Sequence, residues 1–418
     1  MSRIILATWG SLGDLHPIIA LSLSLHDRGY DVVLATAEGY RSKVEPLGLK
    51  FHAIRPDLPE DPQLFERLMD PKIGPKLILK DLILSNVRNT YDDLMAIAID
   101  ADFLVAHEVI YAAPLVAEVL KLRWASCALA PVAFFSAYEP IVSSVYPALA
   151  KLYHFGPEIN RWVVEFSKSV TRPWGKPVYE IRKELGLPPI QNPIVGNDKY
   201  SPYLVLALFS SVLGTPQPDW SPNVVTTGFT FYDGDRKQHM TPELLAFLNS
   251  GDPPLVFTLG SAAVNAPGNF YAESVQAAIR LDRRAVLLMG KNSPPENLPA
   301  SILACDYAPY SEIFPLACAI VHQGGIGTTA QALRAGHPTL VMPYSHDQPD
   351  NAARVKRLGT SQTIPRKQYA AERVARQLGE LLEDPSYAAK AAKIGYIIRA
   401  EDGVNVACDA IEKQLKVA

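Results

Sequence analysis

Short apolar runs alternate with amphipathic stretches along the whole chain, beginning at residues 4–7. This alternation is typical of βαβ units, in which helices cover the faces of a parallel sheet. In the first half it predicts strands at 4–8, 32–36, 103–106 and 125–129, and helices at 17–28 and 112–120. Gly29 is expected to cap the first of these helices.

The same alternation restarts after a proline-rich stretch, GTPQPDWSP at residues 214–222, whose composition is typical of a semi-rigid linker. Here it predicts strands at 255–259, 285–289, 319–321 and 339–342, and a final helix at 388–415 with no strand after it. We therefore predict an α/β fold with two domains, at 1–213 and 224–395, joined by a linker at 214–223. A C-terminal helix at 396–418 is expected to pack back on the first domain.

Charge and composition exclude several classes of protein. The 418 residues carry 40 basic and 43 acidic side chains, so the net charge of −3 offers no overall attraction to nucleic acid. Four scattered cysteines without a CxxC pair predict neither a zinc site nor a disulfide framework, and favour a cytoplasmic protein. The start of the chain shows no signal-peptide pattern, and the apolar stretch 127–137 is shorter than the ~20 residues that a membrane span needs.

The stretch VHQGGIGTTAQA, residues 321–332, follows a predicted strand and opens a helix that should end near Gly336. Glycines at 324, 325 and 327 let the backbone approach a ligand, and free N–H groups at a helix start favour an anion. His322 and Thr328 can donate further hydrogen bonds. This pattern predicts a phosphate or diphosphate site. The alternative is a tight turn whose glycines only let helix and strand pack closely.

One strand later, MPYSHDQPDN at residues 342–351 places Asp347 and Gln348 side by side on a loop. A carboxylate next to an amide can accept and donate hydrogen bonds to neighbouring sugar hydroxyls. Two polar loop residues can also be plain solvated surface. The carboxyl ends of neighbouring parallel strands lie together, so these residues are predicted to lie beside the phosphate loop.

The first strand leads into ATWGSLGDLHP, residues 7–17. Gly10 and Gly13 lack the GxGxxG spacing, and no acidic residue ends the second predicted strand, so a nicotinamide cofactor is disfavoured. The turn instead presents Asp14 and His16 as candidate general bases. The alternatives are a helix N-cap for Asp14 and a surface position for His16.

Ten aromatic residues fall within 134–179, including Phe134, Phe135 and Tyr138. They can line a pocket for a flat apolar ligand or fill the core of a helical subdomain, and both alternatives stay open.

Weak peripheral membrane contact is possible at 72–88, where basic residues punctuate a Leu/Ile-rich stretch.

Four motifs, GSLGDLHP at 10–17, YAPYSEIFP at 307–315, HQGGIGTT at 322–329 and PYSHDQPDN at 343–351, together resemble family 1 of the GT-B glycosyltransferases. The likeness is to the bacterial and fungal branch that glycosylates sterols, phenolics such as flavonoids, and other natural products. It implies two facing Rossmann-like domains with a cleft between them, the C-terminal one binding a UDP-sugar and the N-terminal one the acceptor. It also implies a monomer or homodimer that needs no metal.

The resemblance assigns roles residue by residue. Asp14 falls at the position of the catalytic base, with His16 as a less favoured candidate and His107 or Glu108 as a partner for the base. For the acceptor we expect contacts from Trp9 and His107 and, on the composition of the aromatic stretch, from Phe134, Phe135 and Tyr138. The implied donor residues are Gly13, Ser261, Tyr307, Ala308, His322, Gly324, Gly325, Gly327, Thr328, Asp347 and Gln348.

Within that set, Tyr307 is expected to stack on the base, Ala308 to read the base edge with its backbone, and Asp347 with Gln348 to hold the sugar. The chain departs from plant members at Ala330, where those have an acidic residue for the ribose, with Gln331 next to it. A lone DxD, Asp233 and Asp235, is expected to be a solvated loop.

The activity that follows is inverting transfer of a hexose, foremost glucose from UDP-glucose, to an acceptor hydroxyl, giving a β-glycoside. Two alternatives remain. One is a nucleotide-sugar epimerase or hydrolase on the same scaffold, and the other is a non-catalytic module that binds a nucleotide or lipid.

Overall fold

A computed structural model describes residues 2–58, 61–234 and 240–416. The chain divides into two units. Of the described residues, the first unit takes 2–58, 72–232 and 401–416, and the second takes 61–71, 233–234 and 240–400. Each unit is built on its own parallel sheet, as the predicted α/β fold class requires.

The strands, in chain order, are β1 Arg3–Ala7, β2 Asp31–Thr36, β3 Lys50–Ala53, β4 Phe103–His107, β5 Trp124–Ala128, β6 Leu204–Ala207, β7 Val224–Thr226, β8 Leu255–Thr258, β9 Ala285–Leu288, β10 Ile302–Cys305, β11 Ala319–His322, β12 Thr339–Val341 and β13 Ser361–Thr363. The α-helices are α1 Leu12–Asp27, α2 Arg41–Val44, α3 Pro62–Leu68, α4 Gly74–Lys76, α5 Val87–Ala98, α6 Ala113–Leu120, α7 Pro157–Thr171, α8 Lys176–Glu184, α9 Pro242–Asn249, α10 Gly260–Ala263, α11 Phe270–Arg280, α12 Tyr310–Ile313, α13 Ile326–Ala335, α14 Gln348–Arg357, α15 Ala371–Glu383, α16 Pro385–Ala400 and α17 Gly403–Leu415.

Both sheets are doubly wound. The first has the order β3-β2-β1-β4-β5-β6-β7 and the second β10-β9-β8-β11-β12-β13, with every neighbouring pair parallel. In each sheet the first strand of the chain lies near the middle. Later strands are added on one side of it and then on the other, so the order reverses between β1 and β4 and between β8 and β11. Ligands of such sheets bind at the carboxyl ends of the strands flanking this reversal.

The predicted strands are confirmed to within a residue or two, but five short strands were missed. Some of these are edge strands with little apolar character: β3 contains Lys50, and β13 reads SQT. Edge strands of this kind have one open side, so apolar alternation does not mark them. The predicted helix start at residue 17 was wrong, because Ser11 caps α1 and Pro17 lies inside the helix.

The proline-rich stretch 214–223 lies inside the first unit, since β7 follows it in the first sheet. The predicted helix at 388–415 is interrupted at residues 401–402, between α16 and α17. α17 packs on α1: Arg28 donates to Asp409 Oδ1 at 2.6 Å and to Asn405 Oδ1 at 2.7 Å, and Cys408 is buried. These contacts place α17 on the first unit.

No helix in the described part of the chain is long and apolar enough to cross a membrane. Across the same residues there is also no cluster of three His, Cys, Asp or Glu side chains that could hold a metal ion. The four cysteines are free thiols.

Candidate functional site

Asp14 lies in the first turn of α1, directly after the carboxyl end of β1. It is the third helical residue and forms a capping box with Ser11. The Ser11 backbone N–H and hydroxyl both donate to Asp14 Oδ2, at 2.7 and 3.1 Å, so Oδ1 takes neither of these bonds. Gly10 has φ +140°, and a Cβ there would come within 2.3 Å of Asp14 Oδ2. The turn therefore needs glycine at position 10 to hold this carboxylate.

Burial raises the pKa of the Asp14 carboxyl above its ordinary value, against the opposing effects of His107 and the Ser11 hydrogen bonds. His107 ends β4, the neighbour of β1 in the sheet. The two residues are linked through Thr8, whose hydroxyl lies 3.4 Å from His107 Nδ1 and donates to the Asp14 carbonyl oxygen at 3.2 Å. A raised pKa makes a carboxylate a stronger base, so this environment suits proton abstraction.

The structure separates the two candidates for assisting Asp14. Glu108 forms a buried ion pair with Lys199, whose ammonium also donates to the Ala133 carbonyl oxygen at 3.0 Å. His107, in contrast, acts on Asp14 itself, since it lowers the pKa of that carboxyl. His16, the other candidate base, packs edge-on against Tyr232 with ring centroids 5.3 Å apart. His107 is therefore the better candidate partner.

The candidate acceptor residues fall into two groups. Phe134 is buried and stacks on Trp220 at 3.9 Å between centroids, and Trp9 is buried with its indole N–H donating to the Pro56 carbonyl oxygen at 2.7 Å. Phe135 is half-buried and Tyr138 is exposed. The aromatic stretch thus contributes both to the core and to the surface, and roles of these residues in acceptor binding stay predictions.

In the second unit the glycine-rich loop has the predicted form. β11 ends at His322, α13 runs from Ile326 to Ala335, and Gly336 ends it in the left-handed region. Gly324 has φ +87°, and a Cβ there would lie 2.8 Å from Val341 Cγ1. A side chain at this position would push the loop off the neighbouring strand, so the tight turn needs glycine. The N-terminus of α13 then faces the end of the strand with its N–H groups.

His322 is held neutral at the strand end. It is fully buried, and burial lowers the pKa of its imidazole to about 3. Nδ1 accepts a hydrogen bond from the Gly324 backbone N–H at 3.0 Å. In the neutral ring the hydrogen therefore sits on Nε2, which leaves that atom as a donor for an anion.

We expect the His322 imidazole to stay neutral from pH 5 to 8, because its charged form would be buried without solvent. Nitrogen-15 NMR of the ring checks this directly: Nδ1 should keep the shift of an unprotonated acceptor across that range. A titration with a midpoint near the ordinary histidine value of ~6.5 would contradict this description of the site.

The loop after β12 carries Asp347 and Gln348 next to α13. Asp347 Oδ2 accepts the Ile326 backbone N–H at 3.1 Å and the Asn351 side-chain amide at 2.7 Å. Gln348 Oε1 accepts the Tyr344 backbone N–H at 2.9 Å. The structure thus brings this pair to the start of α13, as expected, and fixes one oxygen of each. Their contact with a sugar stays a prediction.

A segment from the first half of the sequence supports the same loop. Residues 61–71 belong to the second unit, where the Leu68 carbonyl oxygen lies 2.8 Å from His346 Nε2 and the Asp70 carbonyl oxygen accepts the Ser345 hydroxyl at 3.2 Å. His346 has φ +59°, and burial lowers its pKa to about 4. Sequence reasoning missed this support, because nothing local marks a contact across 275 residues.

Tyr310 links the end of β8 to the start of α12, and sequence reasoning missed it as well. Its hydroxyl lies 2.7 Å from Thr258 Oγ1, which in turn accepts the Gly260 backbone N–H at 3.2 Å. Burial raises the pKa of Tyr310 to about 12, so the phenol keeps its hydrogen. The end of β8, the turn at Gly260 and the start of α12 are thereby held in one hydrogen-bonded network.

The remaining donor candidates lie in both units. Gly13 is in the first turn of α1, in the first unit, whereas Tyr307 and Ala308 follow β10 in the second. Tyr307 is 55% exposed and Ala308 is fully buried, and their contacts with a base stay predictions. Ser261 lies in the short helix α10, directly after β8. Of the DxD pair, Asp233 is bound by Arg334 at 2.6 Å and by Gln331 at 3.0 Å, and Asp235 lies outside the described residues.

Two protein-family models match this chain, one in its N-terminal part and one in its C-terminal part. Residues 4–123 match the N-terminal domain of glycosyltransferase family 28, and residues 272–402 match the C-terminal domain of proteins like erythromycin biosynthesis protein CIII. The first range contains Asp14 and His107, and the second contains the donor-site loops from Tyr307 onward but not the one at Ser261.

Relatives with curated functions extend over the whole chain. The O-mycaminosyltylonolide 6-deoxyallosyltransferase of Streptomyces fradiae is 33% identical, over 98% of this chain and 97% of its own length. A sterol 3-beta-glucosyltransferase of Yarrowia lipolytica is 28% identical over 99% of this chain. That protein is longer, and the match covers only 29% of its length.

Solved structures agree on the fold. The glycosyltransferase of kitacinnamycin superposes with a TM-score of 0.76 at 22% identity, over 99% of this chain and 98% of the other. The Streptomyces glycosyltransferase SsfS6, complexed with thymidine diphosphate, gives a TM-score of 0.67 at 19% identity, over 99% of this chain and 100% of the other. With the full-length relative from Streptomyces fradiae, these matches show that the chain belongs to family 1 of the GT-B glycosyltransferases.

Proposed function

We propose that this glycosyltransferase moves a hexose from a nucleoside diphosphate sugar to a hydroxyl of an apolar acceptor, with inversion at the anomeric carbon. The observation that carries the proposal is the Asp14 carboxylate, which is buried with one oxygen fixed by Ser11 and has a raised pKa. The first unit would supply this base and bind the acceptor, and the second unit would bind the donor.

The second unit has the groups that a diphosphate needs. The N–H groups at the start of α13 carry partial positive charge, and Nε2–H of His322 and the Thr328 hydroxyl add directed donors. As the bond to the sugar breaks, negative charge grows on the leaving diphosphate. Fixed donors stabilise that charge without reorganising, which is the usual source of a large rate gain.

Asp14 would act on the acceptor. Oδ2 stays bound to Ser11, and Oδ1 takes the proton from the acceptor hydroxyl as its oxygen attacks the anomeric carbon. Even with a raised pKa, a carboxylate is a far weaker base than an alkoxide, so the proton moves as the new bond forms. Attack opposite the leaving group turns an α-linked donor into a β-glycoside.

Glucose from UDP-glucose is the first donor that we propose, and the likeness to a sterol 3-beta-glucosyltransferase supports it. A second candidate is a 6-deoxyhexose carried on thymidine diphosphate. The 6-deoxyallosyltransferase relative favours it, as does Ala330, which provides no acidic side chain for the ribose. Both donors would use the same diphosphate contacts.

For the acceptor we propose a sterol, a phenolic or flavonoid, or another apolar natural product. The names of the relatives support the first and the last, since they specify a sterol and a tylonolide. Half-buried Phe135 and exposed Tyr138 offer aromatic surface for such a molecule. No polar cluster in the set Trp9, His107, Phe134, Phe135 and Tyr138 suggests a charged acceptor.

A crossed panel tests the proposal. The full-length protein is incubated with UDP-glucose or a thymidine diphosphate 6-deoxyhexose and with a sterol, a flavonoid or a macrolide aglycone. We expect an acceptor heavier by one hexosyl or deoxyhexosyl group in the mass spectrum, with the large anomeric proton coupling of a β-glucoside when the sugar is glucose. An α-linked product would contradict inversion.

A further inference from the structure

Gln323 lies at the centre of the candidate donor site, between His322 and the glycines that follow it. It is only 5% exposed. Its amide nitrogen sits so close to two turns that a Cβ on Gly260 would come within 2.2 Å of it and a Cβ on Gly325 within 2.8 Å. The side chain is therefore enclosed by the loop after β8 and the first residues of α13.

The hydrogen bonds of this amide are incomplete. Nε2 has one long contact, 3.4 Å to Thr328 Oγ1. Oε1 is buried and has no hydrogen-bond partner among the described residues, and the neighbouring Thr329 hydroxyl is in the same state. A buried polar atom without a partner destabilises the fold, and a ligand that completes its hydrogen bond removes that penalty.

The surroundings identify the ligand chemistry that would complete these bonds. The N-terminus of α13 favours an anion at the N–H groups beyond the first, since Asp347 Oδ2 already accepts the Ile326 N–H. The second N–H of the Gln323 amide can donate to the same anion. Oε1 can only accept, so it needs a ligand group that carries a hydrogen, such as a hydroxyl. A sugar phosphate combines the two groups, since its phosphate accepts and its hydroxyls donate.

We propose that Gln323 is a specificity-determining residue that binds the sugar-phosphate half of the donor, with its amide nitrogen on the phosphate and its amide oxygen on a sugar hydroxyl. This role rests on the proposed function, because it needs a nucleoside diphosphate sugar as ligand.

Two substitutions separate binding from mere loop support. Gln323→Glu keeps the shape but sets a negative charge against the phosphate. The amide nitrogen that donates to Thr328 Oγ1 becomes a carboxylate oxygen, which can accept from the same hydroxyl instead. Gln323→Met keeps the length and removes both polar atoms. Gln368→Glu, on an exposed 3₁₀ turn of the same unit, is the matched control for added charge.

The experiment measures three dissociation constants for each variant: for the nucleoside alone, for its diphosphate and for the nucleotide sugar. UDP and dTDP series are run on the wild type, and the tighter series is used. We expect Gln323→Glu to weaken the diphosphate by at least roughly tenfold, the loss typical of a hydrogen bond to a charged group. The nucleoside should stay within twofold, and Gln323→Met should weaken the nucleotide sugar more than the diphosphate.

The outcomes distinguish this inference from the function on which it rests. If the wild type binds the diphosphate and Gln323→Glu binds it equally well, Gln323 does not contact the phosphate and the inference is overturned. It is also overturned if all three ligands weaken together with a lower melting temperature, because that is loss of loop support. If the wild type binds no nucleotide in either series, the proposed function fails as well.

Discussion

Replacing Asp14 with asparagine is expected to lower kcat/KM for glycosyl transfer by a factor of roughly 10² to 10⁴, the usual contribution of a general base. The amide oxygen of the introduced asparagine can still accept the Ser11 backbone N–H, so the first turn of α1 should keep its fold. The donor loops lie in the second unit, and the dissociation constant for the nucleoside diphosphate should therefore stay within twofold. Steady-state kinetics and calorimetry on the same sample provide both values.

The pH dependence of kcat/KM is a second test of Asp14 as the general base. Asp14 must be deprotonated to act, and burial raises its pKa above the ordinary value of 3.8. The acid limb of kcat/KM should therefore lie above pH 3.8, with activity falling as the pH drops through it. The residual activity of Asp14→Asn should lack that limb. An unchanged limb in the variant would assign it to another group.

Ser11→Ala is the matched control for Asp14. It removes the N-cap hydroxyl and one of the two Ser11 hydrogen bonds to Asp14, at a cost of about 1 kcal/mol of stability. The carboxylate remains, so turnover should change by less than tenfold. Equal losses in the two variants would show that Asp14 serves the fold of the turn and not proton transfer.

Asp350→Ala is expected to destabilise the second unit by about 3–5 kcal/mol. Asp350 and Arg354 form an ion pair at 2.6 Å within α14, and their side chains are only 2% and 3% exposed. Removing the carboxylate leaves a buried guanidinium without this partner, and desolvation makes that costly. Since α14 begins at Gln348, the loss should also weaken binding of the nucleotide sugar.

Thermal unfolding compares this buried pair with an exposed one of the same spacing. Arg376 and Glu380 are also four residues apart, in α15, with side chains 64% and 54% exposed. Glu380→Ala should change stability by less than ~1 kcal/mol, because solvent screens exposed pairs. A double variant, Asp350→Leu with Arg354→Met, should recover much of the loss. Similar melting temperatures for Asp350→Ala and Glu380→Ala would contradict the burial of the Asp350–Arg354 pair.

The features that sequence reasoning predicted well are those encoded locally. The run from His322 to Gly336 combines a strand end, glycines and a helix stop, and the structure has each of them in place. For Asp14 the sequence predicted only part of the local structure. An N-cap role was one alternative, but Ser11 is the N-cap and Asp14 is its partner in the capping box. The capping box explains why α1 starts before Pro17.

The features that it missed depend on contacts between distant parts of the chain. Residues 61–71 support the loop at Ser345 and His346 only once the chain has folded and brought the two segments together. Gln323 and Tyr310 are ordinary polar residues in the sequence. Their importance comes from contacts with Gly260 and Thr258, which lie at the end of β8 and in the turn after it, more than forty residues earlier. Side-chain direction of this kind is set by tertiary packing, which no local pattern encodes.

The most direct test of the central claim is the release of nucleoside diphosphate from the donor with and without an acceptor. A glycosyltransferase should release it much faster when a suitable acceptor is present, in equal amounts with the glycoside. Hydrolysis or epimerisation of the donor would not depend on the acceptor, and a binding module would release nothing. We predict acceptor-dependent release that Asp14→Asn removes almost entirely; equal release with and without acceptor would contradict the proposed function.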